Sequence, residues 1–211
     1  SAGASAGALA ATLAACECDM DRALDRALQL SDDAGVFKRG PWGLMGIWGP
    51  IIHTWLDELL PSDAAERCTG RVSIHVNEPR LQPLGLTSIA VDRYESKIDL
   101  IAANMASVHV PLFLDGAWTT PFRGKECVDG SIRLWGGQRQ RLVPPGATLA
   151  TDRVRISSND CARMRERYTS PSDFLRISSV EAVRNMMLWG EDHVEEMDAA
   201  GGLAPLDTFR L

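Results

Sequence analysis

The sequence lacks the signatures of several functional classes. It has no C-x-x-C pair. Its five cysteines, Cys16, Cys18, Cys68, Cys127 and Cys161, are odd in number and scattered. Neither a zinc site nor a disulfide framework is indicated, and reduced thiols are the plain expectation. No two of the four histidines, His53, His75, His109 and His193, stand at metal-ligand spacing, so no metal is expected. Basic charge is also scarce: the formal net charge is -6. The loose arginine group Arg133, Arg139, Arg141, Arg153 and Arg155 is diluted by Asp152 and has few aromatic neighbours, so it reads as a solvated surface. A chain of this balance does not offset phosphate repulsion, and no nucleic-acid partner is expected.

There is no unbroken apolar run of membrane length either. The most apolar stretch, residues 41–60, is interrupted by Gly43, Gly46, Gly49 and Pro50, and it carries His53, Asp57 and Glu58. It is read as a loop and a helix from Pro50 to Leu60 rather than a transmembrane span. Its tryptophans, Trp42, Trp48 and Trp55, fit either core packing or an interfacial lid. The small, apolar opening residues lack a basic stretch before them, which argues against a signal peptide, and the lipoprotein-like Leu13-Ala14-Ala15-Cys16 is set aside with it.

What is present is enough hydrophobic residue, 45% of 211, to build one substantial core. Residues 7–30 read as a helix, rich in alanine and then charged, with Leu24 and Leu28 spaced i, i+4. Val72, Ile74 and Val76 alternate as in a strand. Pro79, Pro83 and Gly85 suggest a loop, followed by a strand over residues 87–91. Residues 96–108 read as a helix with Ile98, Ile101 and Met105 inward. Asp115-Gly116 reads as a turn. Residues 124–130 read as a strand running into a turn, 136–148 as a loop, and 153–157 as a further strand. Residues 180–197 read as a helix with Val183, Met186, Met187 and Val194 inward, ended by Gly201-Gly202. Strands alternating with helices indicate an α/β layered domain.

The chemistry-bearing motif is Gly3-Ala4-Ser5-Ala6-Gly7, a G-x-S-x-G pattern followed at once by an alanine-rich helix. A serine on a sharp strand-to-helix turn exposes its hydroxyl, its small neighbours permit the strained backbone, and the helix start faces a developing oxyanion. Ser5, with Gly3 and Gly7, is therefore the nucleophile candidate. Ser5, Asp129 and His193 also follow the chain order of an α/β-hydrolase triad, but residues 191–196 read as an exposed helix face.

Four further segments join this motif. Ala103-Asn104-Met105-Ala106-Ser107-Val108-His109-Val110-Pro111 leads to Phe122-Arg123-Gly124-Lys125-Glu126-Cys127-Val128-Asp129-Gly130-Ser131. Upstream stands Leu59-Leu60-Pro61-Ser62-Asp63-Ala64-Ala65-Glu66-Arg67-Cys68-Thr69-Gly70-Arg71-Val72-Ser73-Ile74, and the tail is Gly201-Gly202-Leu203-Ala204-Pro205-Leu206-Asp207-Thr208-Phe209-Arg210-Leu211. In chain order the segments resemble the patatin-like phospholipase family, in particular the animal branch that includes adipose triglyceride lipase and adiponutrin.

The resemblance implies a three-layer α/β/α sandwich over residues 1–211, incomplete at its N-terminus, where the family has its first strand and a glycine-rich oxyanion loop. It implies a Ser–Asp dyad with Ser5 as nucleophile and Asp129, in the Asp129-Gly130 motif, as base; Ser131 departs from the small third residue of that motif. It implies a carboxylic ester hydrolase of the triacylglycerol lipase or phospholipase A type, acting without cofactor on acylglycerols or phospholipids. The implied partner is lipid at a membrane or lipid-droplet surface, and the implied location is cytoplasmic or peripheral. The alternative is a catalytically dead, lipid-binding form of the same fold. Arg123 and Lys125 are read either as steering groups for anionic head groups or as solvated edge charges.

Overall fold

The computed structural model describes residues 1–39, 44–81, 84–132, 154, 156–170, 173 and 179–209. The chain falls into two compact units, Ser1–Ala34 with Leu44–Ala147, and Gly35–Gly43 with Thr148–Leu211. The first unit carries the sheet. A short strand β1 (Ala2–Ala4) runs directly into α1 (Ala6–Ala15), whose alanines favour helix without any side-chain cap. Residues 7–30 are not the single helix the composition suggests. Glu17 takes a left-handed φ of 55°, and Asp19 then accepts the Arg22 N–H at 3.0 Å to start α2 (Met20–Asp33). The break lets both halves bury a face, since Leu13 and Ala23 are both almost fully enclosed.

Helix α3 (Trp48–Leu59) packs beside α2, and the Trp55 indole N–H donates to the Ala23 carbonyl at 2.7 Å. Trp48 and Trp55 both lie against the core, so these two tryptophans serve packing; Trp42 lies outside the described residues. The short α4 (Ala64–Cys68) leads into β2 (Ser73–Leu81). Strand β3 (Leu84–Val91) returns antiparallel along the whole of β2, from Ile74↔Val91 to Leu81↔Leu84. The loop expected around Pro79 is instead strand, with Pro79 opposite Leu86. β5 meets β2 only at Val76 and Asn77, and a residue without an N–H is tolerated beyond that point, where this edge of the strand is not paired with β5.

Helix α5 (Lys97–Ser107) is capped by Ser96, whose hydroxyl accepts the Asp99 N–H at 3.2 Å. Its buried stripe is Leu100, Ile101, Asn104 and Ser107, while Ile98 is 78% exposed, contrary to the inward position expected of it. Ile98 stands about 200° around the helix from Leu100, on the solvent side. Asp115 accepts the Ala117 N–H at 2.9 Å in the turn expected there, with Gly116 at a φ of 85°. A hairpin of β4 (Thr120–Phe122) and β5 (Lys125–Asp129) closes the sheet through Arg123 and Gly124, both at positive φ, as a two-residue turn with primed geometry requires. Leu13, Leu56, Ile74, Val76, Leu100 and Leu114 are the large, fully enclosed side chains at the centre of this unit. All five cysteines are free, with the Cys16 and Cys68 sulfurs 3.7 Å apart.

In the second unit, α6 (Ala162–Arg167) lies against α7 (Val180–Ala199), with Arg163 paired to Asp192. Val183, Met186, Met187 and Val194 are half-buried. Gly201, at a φ of 74°, and the Gly202 N–H, donated to the Met197 carbonyl at 2.8 Å, end α7 as expected. The loop expected over 136–148 lies outside the described residues, and the strand expected over 153–157 is not found, since 154, 156 and 157, its described residues, are in no strand. Among the described residues no helix is long and apolar enough to cross a membrane.

Candidate active site

Ser5 stands between the end of β1 and the start of α1 with φ 53° and ψ -132°, a backbone region that an L-residue occupies only under strain of roughly 1–3 kcal/mol. The register of the sheet explains why it turns there. β1 runs parallel to β2 with Ala4 opposite His75, and β5 runs antiparallel to β2 with Asp129 opposite Val76. Because β3 occupies one edge of β2, β1 and β5 share the other. Continued straight, β1 would bring Ser5 opposite Val76, the place Asp129 already holds. The chain therefore leaves the sheet at Ser5, and the two strand ends meet head to head on neighbouring residues of β2, one strand rise of about 3.3 Å apart.

The elbow is possible because of Gly3. A Cβ there would lie 2.2 Å from the Gly7 carbonyl oxygen, closer than any real contact. Gly7 is different: a Cβ on it meets nothing within 4 Å. Space therefore imposes only one of the two glycines that flank Ser5. The Ser5 carbonyl accepts from Ala8 and Leu9, and the first-turn N–H groups of Ala6 and Gly7 have no intrahelical acceptor. The Ala6 N–H belongs to the residue directly after the serine, which is where an elbow site takes an oxyanion donor.

Asp129 is 1% exposed. One carboxylate oxygen, Oδ1, accepts the Ser131 N–H at 2.6 Å, and the other, Oδ2, is buried without a hydrogen-bond partner. Backbone bonds fix the corner that carries it. The Asp129 N–H donates to the His109 carbonyl at 2.8 Å and the Gly130 N–H to the Ser107 carbonyl at 3.2 Å. Asn77 Nδ2 donates to the Asp129 carbonyl at 2.8 Å and to the Ile132 carbonyl at 3.0 Å. Gly130 is required by close approach, since a Cβ there would sit 1.9 Å from the His75 carbonyl oxygen.

Ser107, at the end of α5, links the two strand ends. Its hydroxyl accepts the Ser5 N–H at 3.0 Å and donates to the His75 carbonyl at 2.7 Å. A second buried polar tie joins α1 to α5, where Thr12 and Asn104 exchange side-chain hydrogen bonds at 3.1–3.2 Å. Sequence reasoning assigned no role to Ser107, Asn104 or Asn77. The available signal was polarity on a buried stripe: Leu100, Asn104 and Ser107 recur at helical spacing, and two of the three are polar.

The other candidates fall elsewhere. His75 and His109 are buried, and burial lowers the His75 imidazole below its usual pKa of 6.5. His53 is exposed on α3, and His193 belongs to the second unit, on α7. Arg123 is held by Asp99 at 2.6 Å and by the Arg93 carbonyl at 2.7 Å, and Lys125 by Glu78 at 2.8 Å. Both cations are thus paired within the unit. They border a groove of about 310 Å³ over β3 and the β4–β5 hairpin, floored by Val91, Phe122 and Cys127; Ser5 and Asp129 do not line it.

A strained serine between strand and helix, on a mixed sheet beside a buried aspartate, is the arrangement of an α/β elbow protein. The family model described as patatin-like phospholipase matches residues 2–134, a span containing Gly3, Ser5, Gly7, Asp129 and Gly130. The chain belongs to the patatin-like phospholipase family and has its α/β/α fold. The family's general chemistry is lipid acyl hydrolysis. No curated protein and no solved structure matches the chain.

Proposed function

We propose that this chain is a serine lipid acyl hydrolase in which Ser5 is the nucleophile and Asp129 the general base. The observation that carries the reading is that β1 and β5 end opposite neighbouring residues of β2, one leading into a serine held at φ 53° and the other carrying a carboxylate oxygen buried without a partner. In this reading the Ser5 hydroxyl proton passes to Asp129 as Oγ attacks the ester carbonyl. The oxyanion of the tetrahedral intermediate takes a hydrogen bond from the Ala6 N–H. Collapse expels the alcohol, which takes the proton from Asp129 and leaves the fatty-acyl group on Ser5. Water, deprotonated by Asp129, then releases the fatty acid and restores the hydroxyl.

The substrates proposed are fatty-acyl esters of acylglycerols or phospholipids at a membrane or lipid-droplet surface, and the branch proposed is that of adipose triglyceride lipase and adiponutrin. We propose further that the domain extends through residue 211, beyond the matched span. The test is hydrolysis of emulsified triacylglycerol and of phosphatidylcholine vesicles by the wild type, Ser5→Ala and Asp129→Asn, with fluorophosphonate labelling of Ser5 in parallel. Both variants lose essentially all turnover, and Ser5→Ala is not labelled. Undiminished hydrolysis in either variant removes the dyad. Lipid binding without turnover or labelling in the wild type identifies a catalytically dead lipid-binding form instead.

A further inference from the structure

One polar side chain stands between the strand end that carries Ser5 and the strand end that carries Asp129. Ser107 is fully buried, and its hydroxyl and carbonyl are both engaged at the two corners or the strand beneath them. A serine hydroxyl has one proton. Here it points to the His75 carbonyl at 2.7 Å, so the lone pairs face the Ser5 N–H at 3.0 Å. The Ser107 carbonyl takes the Gly130 N–H at 3.2 Å. The same His75 carbonyl is the atom that forbids a side chain at position 130, and Ala4 lies opposite His75 in register. One residue thus reaches the elbow, the strand both corners rest on, and the Asp-Gly corner.

Two consequences follow for the chemistry. The Ser5 N–H is consumed by Ser107 and does not serve an oxyanion, so the donor on this side of the site is the Ala6 N–H. The direction of the Ser5 N–H also defines its φ, so the bond to Ser107 opposes relaxation of the strained elbow.

We propose that Ser107 is the positioning residue of the site. Its hydroxyl and carbonyl hold the elbow and the Asp129-Gly130 corner in one fixed relation before substrate arrives. It acts through the backbone and touches no substrate. This rests on the assignment of Ser5 and Asp129 proposed above.

The test is Ser107→Ala in the whole chain, with folding checked by thermal melting. Hydrolysis of a p-nitrophenyl ester falls on the order of 10–100-fold in kcat, with KM within about twofold of wild type, because orientation and not binding is lost. The Ser5 amide, deprived of its buried acceptor, exchanges with solvent faster by nuclear magnetic resonance. Unchanged kcat, a loss confined to KM, or unchanged protection of the Ser5 amide each overturns the proposal. Should the alanine variant not fold, Ser107→Cys keeps the shape with a weaker acceptor and is read by the same measurements. A failure of the dyad is distinct from these outcomes: it appears as hydrolysis surviving Ser5→Ala, while the amide exchange still judges the hold of Ser107 on the elbow.

Discussion

Gly130→Ala and Gly7→Ala are the same chemical change within one motif set, and the structure gives them opposite signs. At position 130 the new methyl would lie 1.9 Å from the His75 carbonyl oxygen and 3.2 Å from the Val76 nitrogen, whereas real Cβ contacts essentially never fall under 3.0 Å. The β5 corner must therefore move off β2 by about 1 Å. The His75 carbonyl cannot yield freely, because it accepts the Ser107 hydroxyl. A shift of that size breaks the Gly130 N–H bond to the Ser107 carbonyl, costing about 1–3 kcal/mol for a buried polar group left unpaired. Overpacking strain adds about 1–3 kcal/mol. The smaller entropy of an unfolded chain with alanine offsets only about 0.4–1 kcal/mol. The net loss is roughly 1–5.5 kcal/mol, a large share of the 5–15 kcal/mol typical of a domain. In urea denaturation with a slope near 2 kcal/mol/M, the midpoint falls by about 0.5–3 M. At position 7, exposed in the first turn of α1 with nothing within 4 Å, alanine raises stability by up to about 1 kcal/mol. A Gly130→Ala midpoint equal to wild type, or a Gly7→Ala midpoint below it, refutes the register argument.

Two further outcomes follow from the same corner. Ser5→Gly removes the penalty of a non-glycine residue at φ 53° and raises stability by up to about 2 kcal/mol after the added chain entropy of glycine, read as a higher urea midpoint, while abolishing fluorophosphonate labelling; a lower midpoint contradicts the strain. His75 is buried and its pKa lies below the usual 6.5, so the unfolded chain binds the proton more readily than the folded one. Its contribution to stability is complete above pH 6.5 and is lost as pH falls from there toward the folded value. His75→Gln flattens this part of a stability-against-pH curve, and an unchanged acid-side slope in the variant rules the histidine out as its source.

Local chemistry was readable in the sequence and long-range geometry was not. Ser96 before α5, the Asp115-Gly116 turn and the Gly201-Gly202 stop act through neighbours a few residues away, and each stands where its residue type predicts. The Gly3-Ala4-Ser5 elbow was readable for the same reason. The break at Cys16–Asp19 was hidden because Ala-rich and charged-periodic sequence both favour helix, and only packing decides that the chain turns at Glu17. Ile98 looked like core because it is apolar and on helical spacing, yet the stripe is set by the partners of Leu100 and Ser107. The Arg123-Gly124 hairpin was hidden because arginine is not a usual residue at positive φ; here Asp99 and the Arg93 carbonyl hold its side chain. Space explains Gly3 and Gly130 but leaves Gly7 free, a distinction no motif contains.

The shared register position opposite Val76 has a consequence for how the chain acquires its chemistry. β1 pairs with β2 over three residues and β5 over two, and strands so short do not persist alone. The elbow and the carboxylate come from widely separated parts of the chain, and α5 must be seated before its last residue can bind both. On the proposed dyad, a partly folded or nascent chain lacking β5 would contain the whole G-x-S-x-G motif and still present an ordinary serine. Reactivity at Ser5 would then report the docking of β5: a labelling reagent that needs an activated hydroxyl would count only the molecules in which that strand is in place.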